Sequence, residues 1–321
     1  MILQRLAYLI VVLVVAASFE VAGAHAALTG QITLRDPSQI VKEGDYYYTF
    51  ATGRGIVIRR STDLVHWVDY GRMFGAAPQW TTEVVSGFQP HYDLWAPEII
   101  HVGGEYRLYY SASLFGTQES AIGLATNTTL DRANPNYAWV DRGLVINSNP
   151  GNSYNTIDPA VFHDDDGRMW MTFGSYWNGI QITELDPDTG KRISPDSGLT
   201  PLARNPPSTA IEAPYLHKRG DDYYLFVNWG SCCAGPNSTY NIRVGRSSSP
   251  TGPFYDRNNV NLYAGGGTLV LGSEGERIGP GHAGIFEENG VEYFGYHYEG
   301  TQLHSAKFDI AGWDGRKTGG P

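Results

Sequence analysis

The sequence predicts an all-β protein, a five-bladed β-propeller with four antiparallel strands in each blade. Three observations lead to this fold class. The chain contains 39 Gly and 21 Tyr, a composition that suits short strands joined by tight turns. One hairpin pattern occurs five times in 321 residues, and the prolines that lead four of the hairpins are 55 to 62 residues apart. Such self-similarity indicates a repeat architecture.

Each repeat begins with the same hairpin. A small or acidic residue, usually followed by Pro, leads into a short apolar strand, and a polar turn with Gly connects it to an aromatic-rich strand. Pro is tolerated at the strand entry because no ladder donor is needed there, and Gly adopts the positive φ of a turn easily. The hairpins begin at Asp36, Ala96, Asp158, Ala213 and Gly281.

Two further strands are predicted after most hairpins, which gives the four strands of a propeller blade. The third strand is a short alternating segment such as residues 55–59, and the fourth contains an aromatic residue, as at Trp67, Trp139 and Phe254. The fifth repeat is the least complete, because a Gly-rich tail follows residues 303–308. The sequence does not show how the ring closes.

The overall charge limits the class of partner. The formal net charge is -10 at pH 7, and 17% of the residues are charged. Nucleic-acid binding needs clustered Lys and Arg, which this chain lacks, and an acidic surface repels acidic polysaccharides. A neutral ligand and no nucleic-acid partner are therefore expected. We also expect one monomeric domain over residues 27–321.

The N-terminus has the pattern of a secretory signal peptide. Arg5 precedes an apolar run from Leu6 to Ala17, and a stretch of small residues follows at 22–27. The run is shorter than the roughly 18 apolar residues that a membrane-spanning helix requires. We therefore expect residues 1–26 to be removed and the mature protein to be secreted and extracellular, without membrane attachment.

The only two cysteines, Cys232 and Cys233, are adjacent. This spacing excludes a long-range disulfide and a four-ligand cysteine site. In an oxidising compartment the pair could form a vicinal disulfide, whereas two buried thiols are the alternative. The sequence leaves both open.

Acidic residues recur at the start of the repeats. The first strands of all blades converge on the central channel of a propeller, so Asp36, Asp158, Glu212 and His282 are expected around one axis. Grouped carboxylates are costly to desolvate and push one another's pKa values apart, which is the condition for one acid and one base. An isolated acid before Pro more often caps a turn, as we expect for Asp186. Recurrence in three blades favours catalysis.

Seven short motifs follow one another along the chain. They are RDPS from Arg35, WAPE from Trp95, SLFG from Ser113, NTIDP from Asn155, GSYW from Gly174, IEAPY from Ile211 and GPGHAG from Gly279. Together they closely resemble glycoside hydrolase family 43, and within it the endo-α-1,5-L-arabinanases. The resemblance extends from about Asp36 to about Tyr298.

The resemblance implies an inverting mechanism. Asp36 would be the general base that activates water, Glu212 the general acid that protonates the leaving oxygen, and Asp158 a third carboxylate that orients Glu212 and raises its pKa. Inversion requires two carboxyl groups roughly 6.5–9.5 Å apart and an acid that stays protonated near the working pH. His282 resembles the family's channel histidine, which implies a hydrated metal ion, commonly calcium, with water completing its shell.

The resemblance also implies a sugar-binding surface. Flat apolar groups suit the C–H faces of sugar rings because they bury area without requiring hydrogen bonds. Blade packing is the alternative role of each aromatic side chain, and it is the role expected for Trp67, Trp139 and Trp170. The predicted sugar-binding residues are Trp95, Phe115, Asn155, Ser175, Trp177, Cys232 and Cys233.

The predicted function is an endo-acting arabinanase that cleaves internal α-1,5 links in arabinan, a neutral polysaccharide of the plant cell wall. Exo-arabinanase, arabinofuranosidase or xylosidase activity on the same scaffold is one alternative, because loop shape around the cleft decides among them. A non-catalytic carbohydrate-binding propeller is the other, and the intact set of three acids argues against it.

Overall fold

The structure is a computed structural model that describes residues 27–195, 198–299 and the main chain of 306–312. These residues form an all-β propeller fold with one short helix, α1 (Trp80–Val84), and two 3₁₀ turns, Gly235–Asn237 and Leu262–Ala264. The strands form five separate sheets. No helix within the described ranges is long and apolar enough to cross a membrane. The predicted signal peptide, residues 1–26, lies outside them.

The first two sheets have five strands each. The first contains, in spatial order, β1 (Thr29–Gly30), β6 (His66–Arg72), β5 (Val57–Ser61), β3 (Tyr46–Ala51) and β2 (Val41–Glu43). The second contains β10 (Val140–Ser148), β9 (Ser120–Asn127), β8 (Glu105–Ser113), β7 (Asp93–Val102) and β4 (Gly53–Arg54). Pairing in both sheets is antiparallel, except that β1 runs parallel to β6.

The other three sheets are antiparallel throughout. The third contains β11 (Ala160–His163), β12 (Met169–Phe173), β13 (Ile180–Leu185) and β14 (Thr200–Ala203). The fourth contains β15 (Ile211–Arg219), β16 (Asp222–Trp229), β17 (Asn241–Ser247) and β18 (Thr268–Leu271). The fifth contains β19 (Ile278–Glu288), β20 (Val291–Glu299) and β21 (Ala306–Gly312).

The prediction of four strands in every blade is correct for the third and fourth sheets and wrong for the first and second. The first sheet gains β1 because the chain pairs with β6 before it enters the first hairpin, and the second gains β4 because that two-residue strand pairs with the start of β7. The fifth sheet has three strands in the described part of the chain. Phe254 was expected in a strand, but it lies between β17 and β18 and fills the core between the third and fourth sheets.

The core consists of apolar layers between neighbouring sheets. Phe226 of the fourth sheet and Phe294 of the fifth have ring centroids 5.4 Å apart. Tyr47 of the first sheet and Phe286 of the fifth meet edge to face at 5.7 Å, so side-chain packing joins the last sheet to the first. The predicted packing role is confirmed for three tryptophans that lie in these layers, namely Trp67, Trp139 and Trp170.

Candidate active site

Each hairpin starts with a residue in an unusual backbone conformation. L-residues rarely adopt positive φ, and such residues cluster at functional sites. In the second, fourth and fifth sheets, the register between the first two hairpin strands shifts at this residue. Such β-bulges change the direction in which side chains point. Glu212 lies one residue before this position. The five residues and their φ values are Asp36 (50°), Ala96 (43°), Asp158 (57°), Ala213 (50°) and His282 (59°).

Asp36 is surrounded by groups that stabilise its negative charge. The Thr52 hydroxyl donates to Asp36 Oδ2 at 2.5 Å, and the Nδ1 atoms of His297 and His282 lie 3.5 and 3.9 Å from Oδ1. Burial acts to raise the pKa of this carboxyl group, but His297 and His282 in their protonated forms, the Arg35 guanidinium and the Thr52 hydrogen bond outweigh it, so the pKa of Asp36 lies below its ordinary value. Asp36 is therefore ionised at neutral pH, as a general base must be.

Both histidines beside Asp36 are neutral at neutral pH. His297 Nδ1 accepts the main-chain N–H of Asp36 at 3.1 Å, which requires that Nδ1 carries no proton. Burial lowers the pKa of His297 to about 3, and it also lowers the pKa of His282. At neutral pH the Arg35 guanidinium therefore supplies positive charge beside Asp36.

Glu212 is the second residue of β15, and its pKa is shifted in the opposite direction to that of Asp36. Tyr240 Oη donates a hydrogen bond to Glu212 Oε1 at 2.9 Å. Burial raises the pKa of Glu212 to about 7, although the Tyr240 hydrogen bond acts to lower it, and the charge of Asp36 adds to the rise. A carboxyl group with this pKa holds a proton close to neutral pH and can donate it.

Asp158 lies next to Glu212 and is buried, with 8% of its surface exposed. Asp158 Oδ2 accepts the main-chain N–H of Ala213 at 3.0 Å, so it fixes the residue that follows Glu212. Burial, and then the charges of Glu212 and Asp36, raise the pKa of Asp158. Because Asp158 and Glu212 interact, they titrate as a pair, and the pair retains a proton into the neutral range.

All three predicted sugar-binding aromatics border open space. Phe115 is 81% exposed and Trp177 is 41% exposed, whereas Trp95 is half-buried. Trp95 and Phe115 line a cavity of about 330 Å³, together with His91 and Tyr92. The main-chain N–H of Tyr176 donates to Ile211 O at 2.8 Å, which brings the turn that carries Trp177 beside Glu212.

The remaining predicted sugar contacts divide into buried and partly exposed residues. Asn155 and Ser175 are buried, and Asn155 Nδ2 donates to Ser175 Oγ at 2.8 Å. Cys232 and Cys233 are half-buried and joined by a disulfide, which is one of the two alternatives that the sequence left open. Arg35 Nη1 donates to Cys233 Sγ at 2.9 Å and so connects the disulfide to the residue before Asp36.

His282 is the predicted metal ligand, and its neutral imidazole is in the form that binds metals. Within residues 27–195 and 198–299, no group of three or more His, Cys, Asp or Glu is arranged to hold a metal ion. His282 can supply one nitrogen, and calcium would take most of its oxygen ligands from water. These residues fit a hydrated ion but not an ion enclosed by protein ligands.

A family model, Glycosyl hydrolases family 43, matches residues 29–313. This chain belongs to glycoside hydrolase family 43. The match includes all five sheets, so the resemblance carried by the seven motifs is confirmed at the level of the family.

Relatives of this family 43 protein are named for opposite modes of action. An extracellular exo-α-(1→5)-L-arabinofuranosidase of Cellvibrio japonicus is 40% identical over 89% of this chain and 85% of its own length. An extracellular endo-α-(1→5)-L-arabinanase of Bacillus subtilis is 40% identical over 84% of this chain and 82% of its own length. The structure of Cellvibrio cellulosa α-L-arabinanase complexed with arabinohexaose has a TM-score of 0.83 and 37% identity, and the alignment covers 89% of this chain and 94% of that one.

Three residues of this family 43 site are not predicted from the sequence. Thr52 and His297 contact Asp36, and Tyr240 contacts Glu212. Thr52 and His297 occupy the same position of their hairpins, so an alignment of the second hairpin strands could have identified both residues from the sequence. Tyr240 comes from the segment before β17, and no repeat signal marks it.

Proposed function

We propose that this family 43 protein hydrolyses α-1,5-linked L-arabinofuranosyl chains with inversion at the anomeric carbon. The observation that carries the proposal is the convergence of Asp36, Asp158 and Glu212 from the hairpin starts of three sheets. Carboxyl groups gathered in this way are expensive to bury, and perturbed pKa values cluster at functional sites. Arabinan as the substrate is supported by relatives named for arabinan-degrading activity and by a similar structure that contains arabinohexaose.

In the proposed reaction, Asp36 accepts a proton from water while the water oxygen attacks the anomeric carbon. Glu212 donates its proton to the glycosidic oxygen on the opposite face, and the bond from the anomeric carbon to that oxygen breaks. Asp36 is then protonated and Glu212 ionised, and proton exchange with solvent restores both groups. The transition state has oxocarbenium character, so nearby negative charge also stabilises it.

Asp158 acts on Glu212 in two ways in this proposal. Its Oδ2 holds the main chain at Ala213, which limits where the Glu212 side chain can point. Negative charge on Asp158 disfavours a second negative charge on Glu212, and this keeps the acid protonated. Asp158 is therefore a positioning residue whose charge also tunes the proton donor.

We propose endo action as the mode of cleavage. An endo-acting enzyme binds arabinose units on both sides of the scissile bond, and exposed or half-buried candidate contacts follow strands of three successive sheets. Phe115 follows β8, Trp177 follows β12 and the Cys232–Cys233 disulfide follows β16. Exo action is the second candidate, because the Cellvibrio japonicus relative is named as an exo-acting enzyme.

Two measurements on linear arabinan test these proposals. A time course of products separates the modes, since endo action gives a ladder of oligomers at first and exo action gives one small product from the start. Proton NMR before mutarotation identifies the first anomer of the new reducing end. A β-anomer released from the α-linked chain is expected, and an α-anomer would indicate a double displacement with a covalent intermediate.

We propose further that the five sheets are the five blades of the propeller, and that residues 1–26 direct secretion of a monomeric enzyme. Secretion is supported by the two relatives named as extracellular. A hydrated calcium ion is proposed at His282. When bound, the ion would stabilise negative charge on Asp36, whose Oδ1 lies 3.9 Å from His282 Nδ1.

A further inference from the structure

Four of the five sheets carry a polar side chain at one matched position, which lies within the second hairpin strand or directly after it. This position lies opposite the residue that precedes the bulge, as the main-chain pairing shows. In three cases the side chain accepts a hydrogen bond from the next sheet along the chain, and in the fourth the last sheet accepts one from the first. The four residues are Thr52, Ser111, Asn228 and His297.

The first two links join the first sheet to the second and the second to the third. Thr52 Oγ1 accepts the main-chain N–H of Ala96 at 2.8 Å, and Ser111 Oγ accepts the N–H of Asp158 at 3.1 Å. Both N–H groups belong to residues with positive φ, and at Ala96 the strand register also shifts. The side chains therefore satisfy donors that would otherwise be buried and unpaired.

Two further links join the fourth sheet to the fifth and the fifth to the first. Asn228 Oδ1 accepts the N–H of His282 at 3.0 Å, and His297 Nδ1 accepts the N–H of Asp36 at 3.1 Å. The His297 contact closes the circle, since it connects the last sheet to the first.

The third sheet is the exception, and Asp158 replaces the missing acceptor. The matched residue there is Gly174, whose φ of +130° and contact of a hypothetical Cβ with Gly179 O at 2.5 Å exclude a side chain. Asp158 Oδ2 accepts the N–H of Ala213 instead, at 3.0 Å. Five links thus form a closed ring of hydrogen bonds that connects all five sheets, one for each positive-φ residue at a hairpin start.

We propose that His297 is a positioning residue that holds Asp36 in its catalytic orientation by accepting the Asp36 N–H with Nδ1. The inference rests on the proposed role of Asp36 as the base. A non-glycine residue with φ of 50° is unfavourable by itself, so the surroundings must maintain it. His297 is fully buried, and its Nε2 has no hydrogen-bond partner in the described part of the chain, so the Nδ1 contact sets the tautomer.

The His297 ring also connects the proposed base to the proposed acid. The ring lies nearly parallel to the ring of Tyr240, with centroids 6.1 Å apart and 21° between the planes. Tyr240 Oη donates to Glu212. One imidazole therefore contacts Asp36 through Nδ1 and supports the residue that fixes Glu212.

Two nearly isosteric variants test whether the acceptor matters. In His297→Asn, the amide oxygen can replace Nδ1, as Asn228 shows at the matched position, whereas His297→Leu has no acceptor. Both lose the rest of the imidazole. We expect His297→Leu to lower kcat on arabinan by about 10- to 100-fold with KM changed less than about threefold, because misplacing a reacting group costs this much. His297→Asn should recover kcat to within about fivefold of the wild type.

Equal turnover of the Asn and Leu variants would overturn the proposal, whether both are active or both are folded and inactive. Should the Leu variant fail to fold, ¹⁵N-histidine NMR of the wild type decides, with the His297 signal assigned by its loss in His297→Asn. An unprotonated Nδ1 supports the proposal and a protonated Nδ1 refutes it. The variant Asp36→Asn distinguishes failure of this proposal from failure of the proposed function. If Asp36→Asn is inactive while His297→Leu is fully active, only the role of His297 is refuted. If Asp36→Asn is fully active, the proposed function is refuted.

Discussion

Asp36 and Glu212 lie at the hairpin starts of the first and fourth sheets, yet their surroundings favour opposite protonation states. Burial acts to raise the pKa values of both side chains. Asp36 has a hydroxyl donor and a guanidinium nearby, and its pKa falls below the ordinary value. Glu212 has a single phenol donor, and its pKa rises to about 7. The repeat sets the positions of the two acids, while the neighbours set their charges.

The comparison predicts that both carboxyl groups are indispensable for turnover. Asp36→Asn and Glu212→Gln keep the size of each side chain but cannot transfer a proton as required. Each should lower kcat by about 10²–10⁴-fold on linear arabinan, the usual contribution of one general acid or base. Initial rates measured on variants with an unchanged melting temperature check this.

Asp186 provides the matched control for these variants. It also precedes Pro, but its Oδ1 accepts the N–H groups of Asp188 and Thr189 in a turn between β13 and β14. Asp186→Asn keeps an acceptor oxygen and should turn over arabinan at the wild-type rate. Turnover near the wild-type rate in Asp36→Asn or Glu212→Gln would refute the corresponding role.

A smaller effect is expected from Asp158→Asn, which removes a charge near Glu212 and keeps an oxygen for the N–H of Ala213. Without the negative charge, the ionised form of Glu212 is less disfavoured, so the pKa of Glu212 falls. The acid then loses its proton at lower pH, and the alkaline limb of the kcat profile moves to lower pH. A reduced rate with an unmoved limb would mean that Asp158 acts by position alone.

Tyr240→Phe should shift the same limb in the opposite direction. The Tyr240 hydroxyl donates to Glu212 and stabilises its ionised form, so its loss raises the pKa of Glu212. The alkaline limb should therefore move to higher pH, with kcat at the optimum reduced by less than about tenfold. A shift in the same direction as Asp158→Asn would contradict the assignment of Glu212 as the titrating acid.

Periodicity predicted the features that every repeat shares. The hairpins at Asp36, Ala96 and Asp158 follow from the leading small or acidic residue, the Pro and the Gly turn, and the structure has them. The count of strands in each sheet was wrong where pairing depends on two-residue strands such as β1 and β4, because such segments carry no hydrophobic period. The charge states of the acids could not be predicted from the sequence, because they depend on contacts between residues far apart in the chain. Thr52 and His297, which contact Asp36, are 16 and 261 residues away from it in sequence.

The candidate site divides in the same way. The three acids were predicted because they recur at repeat positions, whereas Tyr240 was not, since it comes from an irregular segment before β17. Asn155 and Ser175 were predicted as sugar contacts from the resemblance alone, and the structure shows them buried against each other. A motif identifies which residues are near a site but does not show which of them face the solvent.

The smallest expected effect concerns the calcium ion proposed at His282, whose imidazole lies beside Asp36. A ligand that binds only the folded state raises the melting temperature, and His282 is the candidate protein ligand. EDTA should therefore lower the melting temperature of the wild type, calcium should restore it, and His282→Ala should respond to neither. The rate should fall by less than about tenfold, because an ion of this kind supports Asp36 without replacing it. Equal melting temperatures of the wild type with EDTA and with calcium would refute the proposed ion. The low pKa of Asp36 would then be explained by the two histidines, Arg35 and the Thr52 hydroxyl alone.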